Sequence, residues 1–191
     1  MINITDAILN VVESIQPFDD LETLHVQDAS NWIRTTTNSI FRISKPDNPP
    51  KHLVSYFVPV DEARRSLLLI DHVKSGLWLP AGGHVEIDEN PADTVVREAK
   101  EELGLDAKFG KWTDDQPLML TVTQTVNGNA HTDVSLWYLI KGDSQIDLDF
   151  DRREMNGYRW YTFDELLGTD IGTLDPHTHR FVNKLQQLLE C

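Results

Sequence analysis

The fold turns on residues 82–105, GGHVEIDENPADTVVREAKEELGL, from Gly82 to Leu105. A glycine pair opens the stretch, and Asn90-Pro91 supplies an N-cap and a first helical residue. Gly104 stands where a left-handed residue ends a helix, so a helix is expected over Pro91–Leu103. At about 100° per residue, Ala92, Val96, Ala99 and Leu103 fall on one apolar face. Glu98, Glu101 and Glu102 are neighbours on the opposite face. Three such carboxylates repel one another by a few tenths of a kcal/mol per pair, and a hard cation between Glu98 and Glu102 removes that repulsion. Oxygen-only donors suit Mg²⁺ or Mn²⁺ rather than zinc. A solvated acidic face is the plain alternative for this helix alone.

The loop ahead of the helix adds to the first reading. Gly82-Gly83 lets backbone carbonyls approach a ligand closely. Glu86 and Glu89 place further acid there, and Arg97 is expected to pair with one of them and fix the loop on the helix.

Working outward, His52–Val60 and Ser66–Val73 are aliphatic, β-branched runs across a polar DEARR link, which predicts a hairpin. Leu118–Val126 and Thr132–Ile140 predict a second strand pair across NGNAH. Gly157–Thr162 reads as a short strand, Phe163–Leu167 as a helical turn, and Pro176–Leu189 as a closing amphipathic helix. Strands around two principal helices indicate an α+β class, drawn as an α/β/α sandwich with a mixed sheet. Upstream, residues 4–16 form an amphipathic helix, 19–35 one or two short helices, and Ser39–Ile43 an extended piece. Pro46, Pro49 and Pro50 interrupt both helix and sheet, so a boundary is set there. Residues 1–48 are then an N-terminal helical extension, serving in packing or in dimerisation as a homodimer, and 49–191 are the main domain.

The formal charge of −14 argues against a nucleic-acid polymer as partner. A small polyanion stays open if metal ions shield it. The lone cysteine, Cys191, allows no intrachain disulfide. The N-terminus lacks a signal-peptide pattern and no run reaches the ~20 apolar residues of a spanning helix, so a soluble, cytoplasmic protein without membrane association is expected.

The joint spacing of Gly83, Glu89, Arg97, Glu98, Ala99, Glu101, Glu102, Gly104 and Leu105 resembles the Nudix box at every fixed position. GLWLPAGGHVE, HTDVSLWYL and FDRREMNGYRWYTFDEL resemble the flanking segments of that family, over roughly residues 52–190. The resemblance implies a Nudix fold and hydrolysis of a nucleoside diphosphate linked to a further group. It implies Glu98 and Glu102 as main metal ligands, with the Gly82 carbonyl beside them. Glu101 becomes a further ligand or the base for the attacking water, and Arg97 and Glu89 orient the carboxylates. Glu154 is the candidate for an acid outside the box, with Asp151 behind it.

His84 and Glu86 in the loop, and Thr178 and Arg180 at the last helix, are carried as substrate contacts. Thr178 stands where some MutT-type enzymes read a purine with asparagine. The His177/His179 pair is given little weight as a metal site. Tyr56, Phe57 and Tyr138 are candidates for stacking on a base, and Trp78, Trp137 and Trp160 for the core. The lead substrate reading is a MutT-like nucleoside triphosphate pyrophosphohydrolase. ADP-ribose or nucleotide-sugar cleavage is the alternative, and a non-catalytic nucleotide-binding protein stands third.

Overall fold

The computed structural model describes residues 3–45, 47–125 and 131–190. Its elements are α1 (Ile4–Ser14), α2 (Asp20–Thr35), β1 (Lys51–Asp61), β2 (Ser66–His72), β3 (Trp78–Leu79), β4 (Ala81–His84), α3 (Pro91–Leu103), β5 (Met119–Gln124), β6 (Thr132–Lys141), β7 (Met155–Thr162), α4 (Phe163–Gly168) and α5 (Thr178–Glu190). The class is α+β, a mixed sheet with helices, and two helices precede the first strand. No described helix is long and apolar enough to cross a membrane.

The described residues group into two compact units. One comprises those up to Tyr56 with Gly83–Val95 and Gln116–Tyr138; the other comprises Phe57–Gly82, Val96–Asp115 and the residues from Leu139 onward. In the first, β5 and β6 pair antiparallel from Met119↔Trp137 to Gln124↔Thr132. The expected partner segment Leu118–Val126 thus begins one residue late, and Val126 with most of the NGNAH link lies outside the described residues. Helix α2 is one continuous helix rather than two, because Asp19 caps it by accepting from Glu22 N and nothing interrupts it before Thr36. Ile8, Val12, Ala29 and Ile33 bury the inner faces of α1 and α2.

These helices pack rather than stand apart. Glu22 is 0% exposed. Its Oε1 accepts from Leu120 N on β5 at 3.2 Å, and its Oε2 accepts from Phe18 N at 2.7 Å. A strand N–H that would otherwise need water or another chain is satisfied by a helix side chain. The extended piece expected at Ser39–Ile43 is not a strand, although Ile40 O accepts from Leu53 N at 2.9 Å.

In the second unit, β2 lies between partners. It pairs β7 antiparallel from Ser66↔Thr162 to His72↔Met155, and β3 at Ile70↔Leu79. The hairpin foreseen across DEARR is present, with Val60↔Leu67 and Asp61↔Ser66 in register. Thr162 and Glu165 form a capping box that starts α4. Helix α5 buries Phe181, Val182 and Leu185.

Candidate active site

Helix α3 has the bounds its local signals predict. Asn90 Oδ1 accepts from Ala92 N at 2.9 Å, and Glu89 Oε2 accepts from Glu86 N at 3.0 Å and from Thr94 Oγ1 at 2.7 Å. Glu89 thereby ties the loop to the first turn of the helix. At the far end Leu105 N donates to Ala99 O at 3.0 Å, closing the helix around Gly104 at φ 65°. A Cβ at Gly104 would stand 3.2 Å from Asp149 O, a tight approach, and the positive φ is what favours glycine there.

The buried stripe of α3 differs from the expected one. Val96 is exposed, and Val95 takes its place beside Ala99 and Leu103. Ala92, Ala99 and Leu103 are buried as expected, and the stripe turns toward the Val95 side, which carries Glu102 inward. Glu102 is only 9% exposed, whereas Glu101 on the same turn is exposed. The three acids are therefore not one solvated face.

Gly82, at a φ of 151° that favours glycine, donates its N–H to Glu102 Oε2 at 3.0 Å. Burial pushes the Glu102 carboxyl up to about 8, and the charge of Glu98 adds to this. The Gly82 bond opposes it, and the charges of Glu154 and Asp151 raise it further. Three acids thus act on Glu102, and the two from outside the box, Glu154 and Asp151, are the two candidates from the sequence. A buried carboxylic acid that cannot ionise cheaply beside other carboxylates is a group that a hard divalent cation would suit, so the donor set fits the metal expected of it.

Arg97 lies between Glu98 Oε1 at 2.6 Å and Glu101 Oε2 at 3.8 Å. The acidic loop docks on the helix end through Asp151 N, which donates to Glu102 O at 2.9 Å. The Asp151 carboxylate is itself clamped by Arg153, with 2.6 Å from Nη2 to Oδ2, and that hydrogen bonding holds it down to about 2. Glu154 is engaged more loosely, by exposed Lys74 at 3.4 Å. Glu154 is therefore the freer of the two to ligate.

At the start of α5, Thr178 is 1% exposed and its Oγ1 has no hydrogen-bond partner among the described residues. Arg180 Nη1 donates to His177 Nδ1 at 2.8 Å, which occupies that ring nitrogen. Glu86 is exposed. Of the stacking candidates, Phe57 and Tyr138 are core residues, closed to any ligand, and Tyr56 stands edge-on to Trp137 at 5.3 Å. Trp137 is core as expected, while Trp78 and Trp160 are half-buried.

Sequence reasoning missed one cluster. Asp47, His52, His84 and His131 converge, so that one ligand atom from each lies within 4.8 Å of the others. Only His84 had been singled out, and it stands with these imidazoles, its ring 4.8 Å from that of His52. The four positions span 85 residues (47 to 131), so no local spacing could have revealed them.

A family profile described as the NUDIX domain matches residues 50–185. The chain is 38% identical over 81 residues to a probable DHNTP pyrophosphohydrolase of Lactococcus lactis subsp. cremoris, covering 41% of this chain and 48% of that protein. It is 49% identical over 39 residues to the CTP pyrophosphohydrolase of Escherichia coli, covering 20% of this chain and 29% of that one. These matches span about half or less of the relatives' lengths. The fold is similar to that of the E. coli dihydroneopterin triphosphate pyrophosphohydrolase, with a TM-score of 0.55 at 13% identity over 73% of this chain and 96% of that one.

Proposed function

Because the chain belongs to the NUDIX family of hydrolases, we propose that it is a Mg²⁺- or Mn²⁺-dependent pyrophosphohydrolase of nucleoside triphosphates, releasing a nucleoside monophosphate and pyrophosphate. The observation that carries this reading is the buried Glu102 carboxyl, hydrogen-bonded to Gly82 N–H and raised by Glu98, Glu154 and Asp151. Glu98 and Glu102 would hold the metal, with Glu154 and the Gly82 carbonyl completing its ligands and Glu101 as a further ligand or the base. When bound, such an ion neutralises phosphate oxygens and lowers the pKa of a water.

The protein's own groups do the rest. Glu101, exposed and reached by Arg97 only at 3.8 Å, is suited to accept a proton from the attacking water, a contribution of roughly 10²–10⁴-fold. Arg97 holds the Glu98 and Glu101 carboxylates in place, and Glu89 keeps the glycine loop seated on the first turn of α3. Glu86, Thr178 and Arg180 are assigned to the substrate, whereas His84, foreseen as a fourth contact, stands instead against the His52 ring. Among them Arg180 and Glu86 are open to a ligand, whereas Thr178, at 1% exposure, is as enclosed as Tyr138.

The relatives named for DHNTP and CTP support the triphosphate reading. The profile's start at residue 50 supports treating residues 1–48 as an extension to the catalytic domain. A panel of nucleoside and pterin triphosphates, ADP-ribose and nucleotide sugars, assayed with Mg²⁺ and with Mn²⁺, tests the proposal. Pyrophosphate release from a triphosphate with the highest kcat/KM is the expected result. Preferred cleavage of ADP-ribose or a nucleotide sugar would overturn the substrate, and metal-independent turnover would overturn the site.

A further inference from the structure

The first compact unit holds a group of side chains that the box chemistry does not use. His52 is 0% exposed, and its Nδ1 lies 2.8 Å from Pro49 O. A carbonyl can only accept, so Nδ1 carries the hydrogen and Nε2 faces inward. Nε2 is buried 3.3 Å from Asp133 Oδ1, and that carboxylate raises the ring's affinity for a positive charge. A buried imidazole nitrogen facing a carboxylate at this distance is held either by a proton or by a cation.

The surroundings favour the cation. The His131 ring stacks on His52 at 5.1 Å and 20°, and the His84 ring lies 4.8 Å from His52 on a tilt. Asp47 Oδ2 is 3.5 Å from His131 Nδ1, and Asp133 Oδ1 is 3.2 Å from His131 Nε2. Protonating three rings this close together would set like charges against one another around the buried His52, whereas one metal ion holds the group with the rings neutral. The bond from His52 Nδ1 to a backbone carbonyl is also the support that metal-bound histidines ordinarily have on their other nitrogen.

We propose that Asp47, His52, His84 and His131 form a binding site for zinc or a similar borderline transition metal, on a donor set distinct from the box carboxylates. Three imidazoles and one carboxylate select this class over Mg²⁺, which prefers oxygen. The ligand atoms lie within 4.8 Å of one another, and a tetrahedral ion at about 2.1 Å from each would draw them to roughly 3.4 Å apart. That contraction is of the order of an ångström. Asp133 supports the site from beside it, oriented on His52 and His131. The ion would join the proline-bearing segment, the start of β1, the end of β4 and the residue before β6, and so lock the residue following the glycine pair.

Binding measured on the full chain tests this without reference to hydrolysis. Metal-free protein is titrated with Zn²⁺ against a chromophoric chelator, and with Co²⁺ to record its d–d absorption. One equivalent of Zn²⁺ and an intense, tetrahedral-type Co²⁺ spectrum are expected. His131→Gln and Asp47→Asn, both at partly exposed positions, should weaken Zn²⁺ binding by at least about tenfold while circular dichroism stays unchanged. Glu98→Gln should leave it intact. Failure of the native protein to take up Zn²⁺ overturns the proposal and leaves the cluster as a proton-held ion-pair network. Loss of Zn²⁺ binding in Glu98→Gln with retention in His131→Gln overturns it equally, by placing the ion on the box. Mg²⁺-dependent hydrolysis by the same variants is read separately, so the two assignments fail independently.

Discussion

Gly82 N–H donates to Glu102 Oε2 at 3.0 Å, joining the glycine loop to the buried side of α3. The bond has two effects. It lowers the cost of burying Glu102, and it orients the carboxylate so that its other oxygen is left for a ligand.

Glu102→Gln should keep the fold, because an amide oxygen can still accept from Gly82, yet reduce turnover by at least about 10²-fold. Glu101→Gln should fall in the same range. Initial rates at saturating Mg²⁺ check both, and native rates in either would remove that residue from the chemistry.

Metal-free protein should lose stability as pH rises. The Glu102 carboxyl is raised from 4.5 to about 8 in the folded chain, so between these values the folded state holds a proton that the unfolded state has released. The stabilising contribution of the protonated group is complete below pH 4.5 and is lost as pH climbs through about 8. Thermal melts of chelator-treated protein at pH 5 and pH 8 should show this decline, and Glu102→Gln should flatten it. Mg²⁺ binding at pH 7 should release close to one proton, seen by calorimetry in buffers of different ionisation enthalpy.

Gly104→Ala should destabilise the chain by about 1–2 kcal/mol from the positive φ alone. The methyl would also arrive 3.2 Å from Asp149 O, and that loop would have to yield by a few tenths of an ångström. Urea unfolding measures the loss. Activity should fall as well, since the same loop carries the Asp151 N bond to Glu102 O.

Glu22→Ala should cost about 2 kcal/mol or more, by leaving Leu120 N–H and Phe18 N–H without acceptors in a buried place. Deleting residues 1–48 removes that cover from β5, and aggregation rather than a well-behaved shortened protein is the expected outcome. Light scattering during refolding distinguishes the two.

Much of this was legible in the sequence. Helix α3 begins and ends where Asn90, Pro91 and Gly104 direct, because capping is a local matter of which backbone groups a side chain can reach. The hairpin of β1 and β2 was legible for the same reason. Which stripe of α3 faces inward was not. Placing Val96 or Val95 in the core makes equally good helical periodicity on paper, and only the surface packed against the helix chooses between them. Once it chose Val95, Glu102 followed Leu103 inward.

The sequence by itself determined the reaction-bearing pattern, since the spacing of Gly83, Glu89, Arg97, Glu98, Glu101 and Glu102 is a property of one continuous loop and helix. Tertiary structure alone decided which of those acids is desolvated, because a carboxyl's affinity for its proton depends on the solvent and charges that other segments remove or bring. It also decided that Asp47, His52, His84 and His131 meet. Residues that far apart along a chain have no fixed distance until the fold supplies one.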